Sequence, residues 1–360
     1  MWPDRRIMDL FGIELPILQA PMAGAQGLEM AIAVSEAGGL GALPCAMLSL
    51  EQARAELGIV RQRTQRPFNV NFFCHQPPVA DPARDAAWKK RLASYYSELG
   101  LDLAAVPGGA LRQPFDDAFC QVIEEFKPAV ASFHFGLPNR RLRDRVKATG
   151  AKMIASATSV EEARWLEGEG CDAIIAQGYE AGGHRGVFMS KHLAAQPGTM
   201  ALVPQMVDAV KVPVIAAGGI GDARGMVAAL ALGASAVQIG TAYLLTPESK
   251  ISQLHRDALK QAHDDSTVLT NVFTGRPARG IVNRVVAELG PISSDSPEFP
   301  LAANAIGPLR AKAEAAGSTD FTPLWSGQAP TLAREMPAGE LTTKLAVEAI
   351  DLLSRLSSKA

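Results

Sequence analysis

Short apolar runs alternate with longer segments of helical periodicity along most of the chain. Eight of these runs are bounded by Gly or Pro and are predominantly apolar, which is typical of parallel strands buried on both faces. They cover residues 16–22, 40–45, 68–74, 129–135, 152–158, 172–178, 212–219 and 236–244. Several helical segments between them end at Gly, a residue that favours a left-handed helix C-cap. The pattern predicts a TIM (β/α)8 barrel, with an open doubly wound α/β sheet as the alternative.

Two stretches interrupt this eightfold alternation. Residues 75–114 begin with a Pro-rich segment and contain one predicted helix, so we interpret them as an insertion. Residues 266–328 are rich in Gly, Pro, Ser and Asn without being of low complexity, which favours a folded cap over the barrel mouth. We therefore predict a barrel over residues 1–265, a small cap or substrate domain over 266–328, and a C-terminal segment, 329–360, whose helix packs back on the barrel.

Composition and charge exclude several classes of protein. Apolar residues make up 48% of the chain and the net charge is −2, so we expect a folded enzyme that binds no nucleic acid. The four cysteines are far apart, which predicts neither a metal site nor a disulfide framework. The sequence shows no secretory signal and no apolar run of membrane-spanning length. We expect a cytoplasmic protein, either a monomer or a homodimer, with no membrane contact.

Glycines follow the last two predicted strands, where barrels of this type bind phosphate. Gly218 and Gly219 end the seventh strand, and Gly240 and Thr241 end the eighth. Bare backbone N–H groups at these positions, with the following helix N-terminus, would hold an anion without Lys or Arg. The alternative is that these glycines only form tight turns.

A second group of candidate functional residues follows the sixth strand, in the segment GYEAGGHRG, where four glycines surround one histidine and one arginine. Such a loop could cover a planar ring and place His184 against a substrate, where an imidazole can exchange a proton or stabilise negative charge. A surface loop with an incidental histidine is the alternative.

His134 ends the fourth strand and is either a pocket residue or a hydrogen-bonded core histidine. Asn71 and Gln177, at other strand ends, suit the polar edge of a heterocycle. We expect the remaining histidines, at positions 75, 192, 255 and 263, to be solvated. Cys45 ends the second strand and is a conceivable thiolate nucleophile, but the sequence shows no positive neighbour that would lower its pKa, so we do not expect that role.

Several of these segments together identify a family resemblance. The sequence resembles the nitronate monooxygenases, formerly called 2-nitropropane dioxygenases, and in particular their bacterial class I branch. The segments that carry the resemblance are QAPMAG, SEAGGLGAL, FNVNFF, GYEAGGHRG, GTMALVPQMVDAV, VPVIAAGGIGDARG, GASAVQIGTAYL, FTGRPARG and PLWSGQ. The resemblance implies an FMN enzyme that oxidises alkyl nitronates, typically propionate 3-nitronate, with O2 through a flavin semiquinone, in a detoxifying role.

The resemblance also implies roles for individual residues. His184 would be catalytic, and His134, Arg185, Phe299 and Trp325 would contact the substrate. Phe299 stands where several relatives have a tyrosine, and residues 25–29 replace a turn rich in Gly, Ser and Thr, so substrate preference here is expected to differ. The implied cofactor-binding residues are Ala20, Met22, Asn71, Gln177, Gly182, Gly183, Ala217, Gly218, Gly219, Gln238, Gly240 and Thr241.

Two other enzyme classes are alternatives. An FMN-dependent NAD(P)H:quinone or enoyl-thioester reductase shares the barrel and the GGH loop, although HRG and QAPMAG favour the nitronate enzymes. A flavin-free sugar-phosphate isomerase or aldolase could use the same phosphate turns. That second alternative lacks the lysine or paired carboxylates that its chemistry usually needs at strand ends.

Overall fold

Eight parallel strands form the barrel that the apolar runs predict. A computed structural model describes residues 2–106, 112–190 and 192–358 of the chain, which leaves residues 107–111 of the predicted insertion and residues 1, 191, 359 and 360 outside the described part. The barrel strands are β1 Ile17–Gln19, β2 Gly41–Pro44, β3 Phe68–Phe73, β4 Val130–His134, β5 Lys152–Ala157, β6 Ala173–Gln177, β8 Val214–Ala217 and β9 Ala236–Ile239. A separate sheet contains β7 Gly183–His184, β10 Thr267–Thr270 and β11 Ala278–Ile281.

The hydrogen-bonding order closes the barrel. Strands follow one another as β1, β9, β8, β6, β5, β4, β3 and β2. Between β1 and the start of β2, the Leu40 N–H donates to the Ile17 carbonyl over 2.9 Å, and the Gln19 N–H donates to the Leu40 carbonyl over 3.0 Å. The closed barrel is therefore confirmed, and the open sheet is not what forms.

Helices surround the barrel on its outer face, as βα units require. The described part of the chain contains the helices α1 Arg6–Phe11, α2 Leu28–Glu36, α3 Leu50–Arg63, α4 Pro82–Glu98, α5 Asp117–Phe126, α6 Arg140–Ala148, α7 Val160–Gly168, α8 Thr199–Ala209, α9 Ala223–Ala231, α10 Gln253–Gln261, α11 Arg284–Leu289, α12 Ala302–Ala315 and α13 Ala338–Ser357. Of these, α4, α11 and α12 pack with one another and not on the barrel. The glycines after α6, α7 and α9 have positive φ angles, as the C-cap prediction requires. No helix in the described part of the chain is long and apolar enough to cross a bilayer.

The last barrel strand is shorter than the sequence indicates. We predicted a strand over residues 236–244, but β9 ends at Ile239, and Thr241–Leu245 form a 3-10 helix. The 3-10 helix begins directly after Gly240, so its first N–H groups have no partner within the helix. The change therefore strengthens the anion-binding character of this end of the barrel.

Two hydrophobic cores organise the chain. The larger one fills and surrounds the barrel and includes Leu341, Leu345 and Ala349 of α13, so the C-terminal helix does pack on the barrel. The smaller one joins α4 to the cap: Trp88 and Tyr96 pack in the same cluster as cap residues of α11 and α12. We assigned the insertion to the barrel, but its helix contributes to the core of the cap. The sequence of an amphipathic helix such as α4 predicts a buried face, but it does not indicate whether that face packs on the barrel or on the cap.

Candidate active site

One cavity of about 310 Å³ lies between the carboxyl ends of the barrel strands and the cap segment, a size typical of small-molecule sites. All twelve predicted cofactor residues line it. So do three of the five residues predicted to be catalytic or to contact the substrate. The cavity therefore brings together Ala20, Met22, Asn71, His134, Gln177, Gly182, Gly183, His184, Ala217, Gly218, Gly219, Gln238, Gly240, Thr241 and Trp325.

The predicted phosphate end has the backbone geometry that an anion cradle needs. Gly218 and Gly219 adopt φ angles of 120° and 69°, which L side chains rarely adopt, so glycine is required at both positions of this turn. The Thr241 hydroxyl oxygen accepts a hydrogen bond from the Gly327 N–H over 2.9 Å. Its own proton stays available to donate to an anion in the cavity.

The backbone of His184 is held from several sides. Its carbonyl accepts hydrogen bonds from Gln177 Nε2 over 3.0 Å and from His134 Nε2 over 3.1 Å. The Gln177 Oε1 atom in turn accepts from the Gly186 N–H over 2.7 Å. His184 also pairs with Ala278 of β11 in the cap sheet. What the sequence indicated as a loop is thus a short strand, fixed by β4, β6 and the cap together.

The His184 imidazole is kept neutral and has one free nitrogen. Burial is the main cause that lowers its pKa well below the usual value, and the positive charge of Arg112 lowers it further. Its Nε2 atom lies 2.9 Å from Thr274 Oγ1, whose proton is directed to the Arg276 carbonyl 3.4 Å away. The hydroxyl oxygen is therefore the acceptor for the His184 Nε2–H. This tautomer leaves Nδ1 as a lone pair that can take a proton.

His134 lines the cavity and is hydrogen-bonded as well, so the two interpretations of this residue both hold. Its Nε2–H donates to the His184 carbonyl, and its Nδ1 accepts from Ser156 Oγ over 3.1 Å. Burial, with a smaller contribution from Arg276, lowers its pKa to about 3. His134 is consequently neutral near pH 7, and both of its nitrogens are engaged by protein groups. The geometry makes it a support for His184.

The structure does not bring Arg185 or Phe299 to the cavity wall, which corrects two of the predicted substrate contacts. Arg185 is fully buried, and its guanidinium donates to the Gln177 and Gly178 carbonyls and to Gln196 Oε1. Three of its five N–H groups are thus bound to protein acceptors, and the side chain does not line the cavity where a substrate would lie. Phe299 packs in the cluster behind the wall, with its ring edge-on to His184 at a centroid distance of 5.3 Å.

One further expectation from the sequence, on the remaining histidines, is wrong. His75 and His255 are buried, with 4% and 6% of their surface exposed, whereas we expected them to be solvated. His255 lines the cavity and its Nε2 donates to the Trp325 carbonyl over 3.2 Å. Burial also raises the pKa of the Cys45 thiol to about 12, so it is no thiolate nucleophile near neutral pH.

Arg112 and Thr274 are functional candidates that sequence reasoning missed. Arg112 lines the cavity from the end of the insertion, and Thr274 holds the His184 imidazole from the cap. For Thr274 the only signal was its place in FTGRPARG, a segment of the family resemblance. For Arg112, flanked by GGALRQP, no pattern separated it from a surface arginine.

The amide side chains in the cavity wall have different capacities for a bound ring. Gln177 uses one N–H donor on the His184 carbonyl and one lone pair on the Gly186 N–H. Asn71 Nδ2 donates to Ser132 Oγ over 2.9 Å. Gln238 Oε1, by contrast, is buried without a hydrogen-bond partner. A buried amide oxygen of this kind needs a donor, and the polar edge of a heterocycle in the cavity would supply one.

Comparisons with known proteins agree with this site. The profile of the family "Nitronate monooxygenase" matches residues 4–348. A nitronate monooxygenase from Pseudomonas aeruginosa is 44% identical over 349 residues, which cover 95% of this chain and 98% of that protein. A nitroalkane oxidase from Streptomyces ansochromogenes superposes with a TM-score of 0.88 at 39% identity, covering 98% and 99% of the two chains. FabK from Thermotoga maritima superposes with a TM-score of 0.75 at 30% identity over the whole of both chains.

Proposed function

Because this chain belongs to the nitronate monooxygenase family, whose members are flavin-dependent oxidoreductases, we propose that it oxidises alkyl nitronates with O2, using FMN as its flavin and propionate 3-nitronate as a substrate. The observation that carries the proposal is the neutral His184 imidazole on the wall of a cavity lined by all twelve residues expected to hold the cofactor. Location in the cytoplasm and the choice between monomer and homodimer stay predictions.

The residues present fit FMN. The turn at Gly218 and Gly219, the first N–H groups after Gly240 and the free Thr241 proton suit a phosphate. The unpartnered Gln238 Oε1 suits the N–H at the edge of an isoalloxazine ring. A Cβ atom on Gly183 would meet nothing within 4 Å, so this part of the wall leaves room for a ring. When bound, FMN would supply the electron-accepting group for the oxidation.

The protein's own residues would orient the substrate and stabilise its negative charge. Among the described residues, those lining the cavity include three cations, Arg112, Lys250 and Arg310, and no carboxylate, so the cavity favours an anionic substrate. His184 Nδ1 offers a lone pair that can take a proton at the reacting end. The His134, Gln177 and Thr274 contacts hold that imidazole in one orientation. The cap residues Trp325 to Gly327 cover the cavity and restrict water.

Two measurements on the purified protein test the proposal. Its absorption spectrum should show oxidised flavin, and acid release should yield FMN; a colourless protein would favour the flavin-free aldolase or isomerase alternative. Oxygen uptake with propionate 3-nitronate should fall at least a hundredfold in His184→Asn, which removes the free lone pair but keeps a polar side chain. Unchanged turnover would contradict the role of His184.

Anaerobic mixing with NADH or NADPH separates the reductase alternative. We expect slow or absent flavin bleaching with either nucleotide and fast bleaching with propionate 3-nitronate. Rapid bleaching by NADH together with no oxidation of the nitronate would make the chain a reductase.

A further inference from the structure

Arg112 and His184 pack against the same aromatic ring from the cavity side of the fold. The Arg112 guanidinium carbon lies 5.5 Å from the centroid of the Phe299 ring, and the His184 ring centroid lies 5.3 Å from it. Both Arg112 and His184 line the cavity, whereas Phe299 does not. A cation therefore lies beside the catalytic imidazole, within the reach of a substrate a few atoms long.

Arg112 has no counter-charge among the described residues. No carboxylate contributes to the shift in the pKa of Arg112, and none of the described residues that line the cavity is Asp or Glu. Arg310, another cavity cation, differs because its Nε donates to Glu314 Oε1 over 2.7 Å. Arg112 is also partly removed from solvent, and this burial lowers its pKa. A partly desolvated guanidinium without a carboxylate partner is costly to bury, so it favours an anion in the cavity.

The chemistry of the substrate indicates which anion that is. Propionate 3-nitronate carries two negative groups, the nitronate and a carboxylate two carbons away. The nitronate must react where His184 Nδ1 can take or return a proton. A planar guanidinium matches a carboxylate with two parallel hydrogen bonds, which a point charge cannot do.

We propose that Arg112 binds the carboxylate of the substrate and thereby makes the enzyme selective for nitronates that carry a second anionic group. This inference rests on the proposed function, because it concerns the same cavity and the same reaction. It assigns discrimination between dianionic and monoanionic nitronates to one side chain at the end of the insertion. His184 keeps the chemical step common to both substrates.

The test compares two nitronates on the flavin-loaded full chain. Arg112→Met should lower kcat/KM for propionate 3-nitronate by about tenfold to a hundredfold, the range expected for losing charge-assisted hydrogen bonds, mostly by raising KM. For propyl-1-nitronate, which has the same carbon chain and no carboxylate, the change should stay within about threefold. Arg112→Lys should restore part of the loss. Arg140→Met, the control for an exposed arginine outside the cavity lining, should leave the ratio between the two substrates unchanged.

The proposal fails if Arg112→Met lowers kcat/KM equally for both nitronates, or for neither. Calorimetric binding of 3-nitropropionate under anaerobic conditions gives a second readout that needs no turnover. If the unmodified chain oxidises neither nitronate, the proposed function has failed, and the calorimetry alone decides on Arg112. Binding that is lost in Arg112→Met would then support the carboxylate contact, and retained binding would overturn it.

Discussion

The fully buried guanidinium of Arg185 allows a quantitative prediction. It ties the strand that carries His184 to the end of β6 through the Gln177 and Gly178 carbonyls, at 2.8 Å and 2.5 Å, and to Gln196 Oε1 at 2.7 Å. Arg185→Met keeps a long apolar side chain but removes all of these donors. The Gln177 carbonyl and Gln196 Oε1 then lose this partner, whereas the Gly178 carbonyl keeps the Ala181 N–H, so the change should destabilise this segment.

The size of the effect follows from the number of bonds lost. Burial lowers the pKa of Arg185 to about 10, so the cost of desolvating its charge offsets part of the free energy that its hydrogen bonds contribute to stability. Leaving an acceptor unpaired costs about 1 to 3 kcal/mol, so the two acceptors that lose their partner cost about 2 to 6 kcal/mol together. With an unfolding entropy of about 2.1 cal/mol/K per residue, that corresponds to a fall in Tm of roughly 3 to 8 °C for a chain of this length.

Thermal unfolding of the flavin-loaded protein is the assay, with Arg140→Met as the matched control. The Arg140 side chain is 87% exposed, so its loss should change Tm by less than about 1 °C. Arg185→Met should also lower kcat at 25 °C, because the neighbouring His184 loses part of its support. If Arg185→Met and Arg140→Met had the same Tm within 1 °C, the structural role given to Arg185 would be refuted.

Three other predictions concern the cavity wall and its histidines. Gly182→Ala would place a Cβ atom 2.5 Å from the Gly327 nitrogen, so we expect flavin affinity to fall at least tenfold by fluorescence titration, whereas Gly58→Ala, with open space around it, should not change affinity. Thr241→Val should weaken FMN binding severalfold but leave riboflavin binding unchanged, since only the phosphate contact is lost; equal weakening of both would count against the phosphate assignment. Burial lowers the pKa of His134 to about 3 and that of His255 to about 4, so the unfolded chain binds more protons than the folded one below pH 6.5. Stability measured by urea unfolding should therefore be constant above pH 6.5 and fall as pH drops towards 4, by up to about 1.4 kcal/mol per pH unit for each histidine; a flat profile would contradict this.

The barrel and the position of its polar strand ends were predictable from the sequence for the same physical reason, whereas the assignment of those residues to a flavin came from the family resemblance. Strands buried on both faces are predominantly apolar, so their carboxyl ends are easy to locate, and the polar or Gly residues at those ends must meet at one mouth. Asn71, Gln177 and Gln238 come from three different strands, yet all line the cavity. That logic needs no knowledge of the cap.

The rest of the site depends on contacts that leave no periodic signal. A two-residue strand of Gly183 and His184 has no pattern to detect, because its partner is β11, about ninety residues later. Successive residues of an extended segment point to opposite sides, so Arg185 faces away from the cavity that His184 lines. Phe299 is likewise one residue layer behind the wall. Arg185 and Phe299 were predicted to contact the substrate, but their side chains point away from the cavity or lie behind its wall, so neither can do so.

The sharing of β7 between the barrel chain and the cap sheet limits how this enzyme can be re-engineered. A chimaera that exchanges residues 266–328 for the cap of a relative would also replace the pairing partner of His184 and the hydroxyl of Thr274 that orients it. Cap exchange would therefore alter catalytic competence along with substrate range. Designs that keep β11 and Thr274 and vary only the surfaces beyond them preserve the imidazole, and recombination libraries should place their crossovers accordingly.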